Sequence, residues 1–513
     1  MDPLADLRAA IGEEARLERP KQADFGDYST NAAMLRAPIE RKPPREVAAA
    51  LAEELKARLG DDVERIDVAG PGFLNLFMTE QWFHRVVGAA IELGDDFGRG
   101  SGDERILIEF VSANPTGPMT VASARGAAIG DSLARLLEFA GNEVDREYYI
   151  NDYGTQVRLF GESIRARARG EEPPEGGYQG EYVTELAAEI ENAADRDPDE
   201  LAVLGVQRMM ERVRGTLERF RVEFDSFFSE RSMYEDGSVD RVLDQLGEHV
   251  YEHDGARWLR TSSLGDEKDS VLIRSSGEPT YFASDIAYHE DKRARGYDRA
   301  IDIWGADHHG HVKRMHASWE ALGGKEGTLE LLIMQLVNLM ESGQRARMSK
   351  RQGEFVTLDD LIDDIGVDAA RFFLLQRSHD TTIDLDLELA REQSNENPVY
   401  YCQYAHARIA SILKRAGAEP DASVSGALHA SEEELIKKLL EFPEEIQIAA
   451  ERRAPHRLTT YVLALAQAFS AFYRDCKVVG TPEEGFRLAL SLQTKRVIAR
   501  SLDLLGVEAP ESM

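Results

Sequence analysis

Residues 105–141 read as a strand, a breaker loop and a helix in immediate succession. Arg105-Ile-Leu-Ile-Glu-Phe-Val111 is a short apolar run suited to a buried parallel strand. Ala113-Asn-Pro-Thr-Gly-Pro118 is a loop, because its prolines and glycine suit neither a strand nor a helix interior. From Ser123 to Ala140 the chain has helical periodicity, with Ile129, Leu133, Leu136, Leu137 and Ala140 on one side and Gly141 as its stop. This order is the opening of a nucleotide-binding α/β unit, in which a strand delivers a loop and a helix N-terminus to a ligand.

The rest of the chain is organised around that unit. Ser270-Val-Leu-Ile-Arg274, Ala300-Ile-Asp-Ile-Trp304 and Glu330-Leu-Leu-Ile-Met334 carry the α/β character onward. Polar breakers at Glu171–Gly177 and Asp195–Glu200 separate helical stretches, so about 161–250 reads as a helical insertion. The first hundred residues form a small mixed unit. It has a helical stretch at Arg45–Leu59 and a strand-like segment at Val68–Met78, punctuated by Gly70, Pro71 and Gly72. Gly98-Arg-Gly-Ser-Gly102 suits a flexible linker. Beyond Thr357 the periodicity is almost wholly helical. The expected fold is therefore α/β: a Rossmann-type parallel-sheet domain at 101–356, a small α+β N-terminal domain at 1–100 and an all-α C-terminal domain at 357–513.

Charge and cysteine content narrow the function. The 513 residues hold 93 acidic and 61 basic side chains, a net charge of −32, which argues against a protein that coats nucleic acid indiscriminately. RNA binding through local basic patches stays open. The acidity serves solubility or matches a salty habitat. No apolar run is long enough for a membrane helix and the N-terminus lacks a secretory apolar core, so a cytoplasmic protein without membrane attachment is expected. Cys402 and Cys476 are too few for a disulfide framework or an unaided zinc site. Cys402 reads as a small buried apolar residue.

Three constellations carry chemistry. Arg347-Met-Ser-Lys-Arg351 is a basic loop after the turn at Gly343 and before a helix beginning at Thr357. Lys350 there can bind phosphates and follow charge as a phosphoanhydride breaks; a solvated basic loop is the plain alternative. Trp304-Gly-Ala-Asp-His-His-Gly-His311 lies at the carboxyl end of a strand, where open α/β sheets bind ligands. Gly305 would admit a nucleotide close to the backbone, and Asp307 could accept from ribose hydroxyls. His308, His309 and His311 invite a metal reading, but no complete ligand set is visible, so no metal site is expected. In Tyr281-Phe-Ala-Ser-Asp285 a carboxylate offers paired hydrogen bonds to a guanidinium.

Met348-Ser349-Lys350 closely resembles the second signature of class I aminoacyl-tRNA synthetases, Lys-Met-Ser-Lys-Ser, with Arg347 at the first lysine. Gly353, Val356-Thr-Leu-Asp359 and Leu361 look like the arginyl branch. The resemblance extends over nearly the full length. Asp24-Phe-Gly-Asp-Tyr-Ser-Thr-Asn31 and Val68–Asn75 look like the tRNA-corner-binding N-terminal domain of arginyl-tRNA synthetases. Asn397–Arg408 and Ser501–Pro510 look like their anticodon-binding domain. It implies an arginine–tRNA ligase that activates L-arginine with ATP and Mg2+, transfers it to tRNA(Arg), and releases pyrophosphate and AMP. A monomer without a tightly bound cofactor is expected. By the same resemblance Tyr281, Asp285 and His309 belong to the arginine pocket, and Glu109 and Asn114 receive the amino-acid end. Gly305, Asp307, Met348, Ser349 and Lys350 handle ATP. In the helical domain, Tyr400, Tyr401 and Tyr404 suit stacking on unpaired bases, and His406 and Arg408 suit backbone contacts. Aromatic residues at helical spacing more often pack a core.

One motif departs from the family. Where the first signature reads His-x-Gly-His, this chain has Thr120-Val-Ala-Ser123. Thr120 and Ser123 are left as catalytic hydroxyl donors, weaker than charged ones, and Ala122 adds a methyl where adenine would lie. The alternative is an impaired paralogue that binds tRNA without charging it. Retention of Lys350 and of the arginine-pocket residues argues against that alternative.

Overall fold

The computed structural model describes residues 4–12, 15–20, 22–345, 356–423 and 426–513. Its frame is a five-stranded sheet. In spatial order the strands are Leu329–Met334, Arg299–Gly305, Arg105–Glu109, Glu143–Ile150 and Ser226–Ser229. Every neighbouring pair is parallel. Ile106, Leu107 and Ile108 in the middle strand are fully buried, as a strand covered on both faces requires.

The helix after this strand spans Val121–Phe139, with Thr120 as its N-cap. It packs closely because Gly130 has no side chain. A Cβ there would lie 2.1 Å from the Phe110 ring. The register of the parallel pairs sets three acids in one row: Asp302 opposite Glu109, and Glu109 opposite Glu147.

Several expectations need correction. Ser270–Ile273 is a strand, but it belongs to a separate antiparallel sheet with Val250–His253 and Ala256–Leu259. Conversely, Ser226–Ser229 lies within the stretch read as a helical insertion, yet it is an edge of the parallel sheet. The mostly helical C-terminal part contains a strand, Ile383–Asp386, paired in parallel with Val337–Glu341. Gly100 and Gly102 do not act as a loose linker. Their amides donate to the carbonyls of Phe139 and Ala140, and a Cβ at Gly100 would fall 2.3 Å from the Ala140 carbonyl oxygen.

The N-terminal segment forms a four-stranded antiparallel sheet with helices Ala32–Glu40 and Pro44–Leu59. Ion pairs Arg8–Glu444, Arg19–Glu441 and Lys437–Asp27 join it to the C-terminal helices. A second tie runs through Arg371, which is fully buried. It pairs with Asp131 of the helix Val121–Phe139 and donates to the carbonyls of Leu505 at 2.8 Å and Phe220 at 2.9 Å. Gly506 leaves room for it, since a Cβ there would lie 2.2 Å from the guanidinium carbon.

Candidate active site

The site lies at the carboxyl ends of the parallel strands. Just past the middle strand the backbone turns sharply, with Val111 at φ 69° and Ser112 at φ 41°. Left-handed conformations at non-glycine residues are strained and persist only where their surroundings impose them. Here the Ser112 hydroxyl donates to Glu109 at 2.7 Å and accepts from the Tyr149 amide at 3.2 Å. Tyr148 and Tyr182 hydroxyls donate to the carbonyls of Ala113 and Thr116. The loop is thereby pinned, with Asn114 exposed on it.

Thr120 begins the helix without using its side chain as a cap. Its hydroxyl is not committed to the helix end, Ser123 is half-buried and Ala122 is exposed. The backbone around Thr120 forms a bridge to Thr357: the Val121 amide donates to Val356 at 3.2 Å and the Leu358 amide to Met119 at 2.8 Å. The altered motif is thus joined to the chain just after the basic loop. Met348, Ser349 and Lys350 lie outside the described residues.

Tyr281 opens the helix Tyr281–Ala294 and is 63% exposed; Asp285 follows one turn later. Burial pushes the Asp285 carboxyl up to about 6, against the opposing charges of His289 and Arg314. Beside it is an acid that motif reading missed. Glu230, buried at the start of the short helix Glu230–Glu235, has its carboxyl pushed up to about 7 by burial and by the Asp285 charge. Two buried carboxylates repel one another in the absence of a cation, and a guanidinium satisfies both. Glu230 and Tyr281 line one cleft of about 700 Å³ with Tyr153, Arg231 and Tyr234. The Tyr153 and Tyr234 rings stack with centroids 3.9 Å apart.

Glu109, expected at the amino-acid end, is largely enclosed. It is only 6% exposed, and its second oxygen accepts from Lys292 Nζ at 2.6 Å. Burial pushes its carboxyl up, with Lys292 opposing and Asp302 adding to the rise.

Across the sheet end, Gly305 leads into a turn, Ala306–His311, that exposes Asp307, His308 and His309. A Cβ on Gly305 would meet only the Asp307 carboxylate, at 2.6 Å, a contact that the exposed side chain relieves by turning. In the helical part, Tyr400, Tyr404, Arg408 and Tyr473 line a second cleft of about 580 Å³. Arg408 lies over the rings of Tyr404 and Tyr473. Tyr401 also lines this cleft, with its hydroxyl donating to Ser470 at 2.9 Å. The expected His406 contact to RNA backbone is overturned: His406 is 2% exposed and its Nδ1 donates to the Pro510 carbonyl at 2.8 Å.

Known proteins resemble this chain along nearly its whole length. Family models match residues 3–78 (arginyl tRNA synthetase N terminal domain), 95–172 (class I (R) tRNA synthetase catalytic domain) and 402–513 (DALR anticodon binding domain). The arginine–tRNA ligase of Bacillus subtilis is 45% identical over 544 residues, covering 99% of this chain and 97% of that protein. That of Carboxydothermus hydrogenoformans is 45% identical over 525 residues, covering 97% and 94%. The fold matches Thermus thermophilus arginyl-tRNA synthetase at a TM-score of 0.79 and 24% identity, over 99% of both chains. With relatives this similar along almost the whole chain, the protein belongs to the arginyl-tRNA synthetase family.

Proposed function

We propose that this chain is an arginine–tRNA ligase whose amino-acid pocket is the cleft lined by Glu230 and Tyr281, with Asp285 one helical turn beyond Tyr281. The observation that carries the reading is the acid pair beside Tyr281, because two crowded carboxylates favour a planar, delocalised cation with several donors. In this reading Tyr281, Asp285, Glu230 and His309 take the guanidinium end. Asn114 and Glu109 take the amino end. Gly305 and Asp307 hold the adenosine, and Met348, Ser349 and Lys350 the phosphates, with Mg2+ accompanying ATP.

The arginine carboxylate attacks the α-phosphorus of ATP, forming the adenylate and releasing pyrophosphate. A terminal ribose hydroxyl of tRNA(Arg) then attacks the carbonyl carbon, and AMP leaves. No side-chain nucleophile is required, so catalysis is positioning and charge stabilisation. Thr120 and Ser123 contribute hydroxyl donors at the helix N-terminus, and Ala122 borders the adenine. The Tyr400–Tyr404–Arg408–Tyr473 cleft suits an unstacked base of the anticodon loop.

The test is charging of tRNA(Arg) with labelled arginine and ATP by the purified protein. Activity that is lost in Asp285→Ala supports the reading. Retained tRNA binding without any charging in the natural protein overturns it.

A further inference from the structure

The helix Tyr281–Ala294 meets the sheet through a row of charges. His289 and Lys292 lie on it and Arg295 follows at its end, each three residues apart and so on one side. Opposite them stand the in-register acids Asp302, Glu109 and Glu147. Lys292 Nζ, fully buried, donates to Glu109 at 2.6 Å and to Asp302 at 2.7 Å. Arg295 donates to both oxygens of Glu147 at 2.7 Å. His289 Nε2 lies 2.8 Å from the Asp302 carboxylate, and its Nδ1 lies 2.7 Å from the Asp285 backbone carbonyl oxygen. Both ring nitrogens face acceptor atoms, so His289, Lys292 and Arg295 each meet at least one of the three acids.

This row connects the two ends of the proposed pocket. Glu109 stands at one end of the chain of contacts Glu109–Lys292–Asp302–His289 and the backbone of Asp285 at the other. Burial disfavours ionisation of Asp302, but Lys292 and His289 outweigh it and hold the carboxyl down at about 2. Stability is a poor reason for such a cluster, because apolar residues of equal volume are often as stabilising as a buried ion pair. What the ions add is direction: each hydrogen bond fixes an angle as well as a distance.

We propose that Lys292, acting with Asp302 and His289, is a positioning residue that holds Glu109 and Asp285 at a fixed separation and so sets the length of amino acid that can be anchored at both ends. This deepens the reading above and rests on Glu109 and Asp285 being the two anchors. Lys292 itself has no exposed surface and does not touch the amino acid.

Charging kinetics of the full chain test the proposal, with arginine and with homoarginine, which is one methylene longer. In Lys292→Met and in the nearly isosteric Asp302→Asn, the KM for arginine should rise on the order of 10- to 100-fold, the range expected when a substrate anchor is displaced. The KM for ATP should stay at its natural value. Preference for arginine over homoarginine should fall by about tenfold, since one methylene is worth about 1–3 kcal/mol in a fitted pocket. Unchanged arginine KM and unchanged length preference in a folded variant overturn the proposal, as does unfolding of both variants in circular dichroism. Glu109→Gln separates the two levels. If its arginine KM is natural, the anchor reading itself fails. If that KM rises while Lys292→Met and Asp302→Asn keep natural length preference, only the positioning role fails.

Discussion

Glu230 and Asp285 give the pocket a pH dependence whose sign follows from their shifts. Both carboxyls are raised, to about 7 and about 6, so both are protonated and poor partners for a guanidinium at lower pH. The KM for arginine should therefore fall as pH rises from 5.5 to 8, by at most about tenfold per unit for each group that titrates. Stability runs the other way in the free protein. A carboxyl raised in the folded state stabilises it fully below the unfolded pKa and loses that contribution as pH rises through the folded value, here from 3.8 to about 6 for Asp285 and from 4.5 to about 7 for Glu230. Thermal melts at pH 5.5 and 8, with and without arginine, check this: the added amino acid should protect more at pH 8. Thr120 and Ser123 give a second residue-level prediction. Removing either hydroxyl, as Thr120→Val or Ser123→Ala, should lower kcat by about tenfold with little change in the KM for arginine, measured in steady-state charging. Asp285 could be singled out from the sequence because it sits in a contiguous motif with Tyr281. Glu230 could not be, because its role comes from the strand Ser226–Ser229, which carries it to Asp285 from a distant part of the chain. His406 misled for the opposite reason: a polar side chain in an RNA-binding segment looked available, but the Pro510 carbonyl occupies it.

Elements with strong local signals were read well and elements defined by pairing were not. The strand Arg105–Glu109 and helix Val121–Phe139 followed from an apolar run, a breaker loop and helical spacing. Ser226–Ser229 and Ile383–Asp386 are four residues each, too short to show a period, and exist because a neighbouring strand accepts them. Ser270–Ile273 showed that a strand can be legible while its sheet is not, since an apolar run does not declare its partner. The fit between strand and helix gives an element-scale prediction. Gly130→Ala should push the Phe110 ring and disturb Glu109 beside it, costing about 1–3 kcal/mol by overpacking. Chemical denaturation would read the loss, and charging activity should fall in the same variant.

Across the whole molecule, the parts are joined by a few specific polar contacts. Arg371 binds the helix Val121–Phe139, the end of the long helix Pro198–Arg219 and the C-terminal tail at once. Arg371→Met should destabilise the protein by about 1–3 kcal/mol, because the buried Leu505 and Phe220 carbonyls lose their donor while Asp131 keeps Arg135. A fall in melting temperature that is matched by loss of tRNA(Arg) affinity would place this contact between the helical part and the catalytic frame; unchanged melting would remove it from that role.

The bridge between Thr120 and Thr357 bears on how the first signature could drift. Both of its hydrogen bonds run between main-chain atoms, Val121 to Val356 and Leu358 to Met119. Such a clasp reads the path of the chain and is blind to the letters written on it. A threonine and a serine can stand where the family has histidines without the segments around Thr120 and Thr357 coming apart, which leaves the vocabulary of this stretch free to change while its grammar is kept.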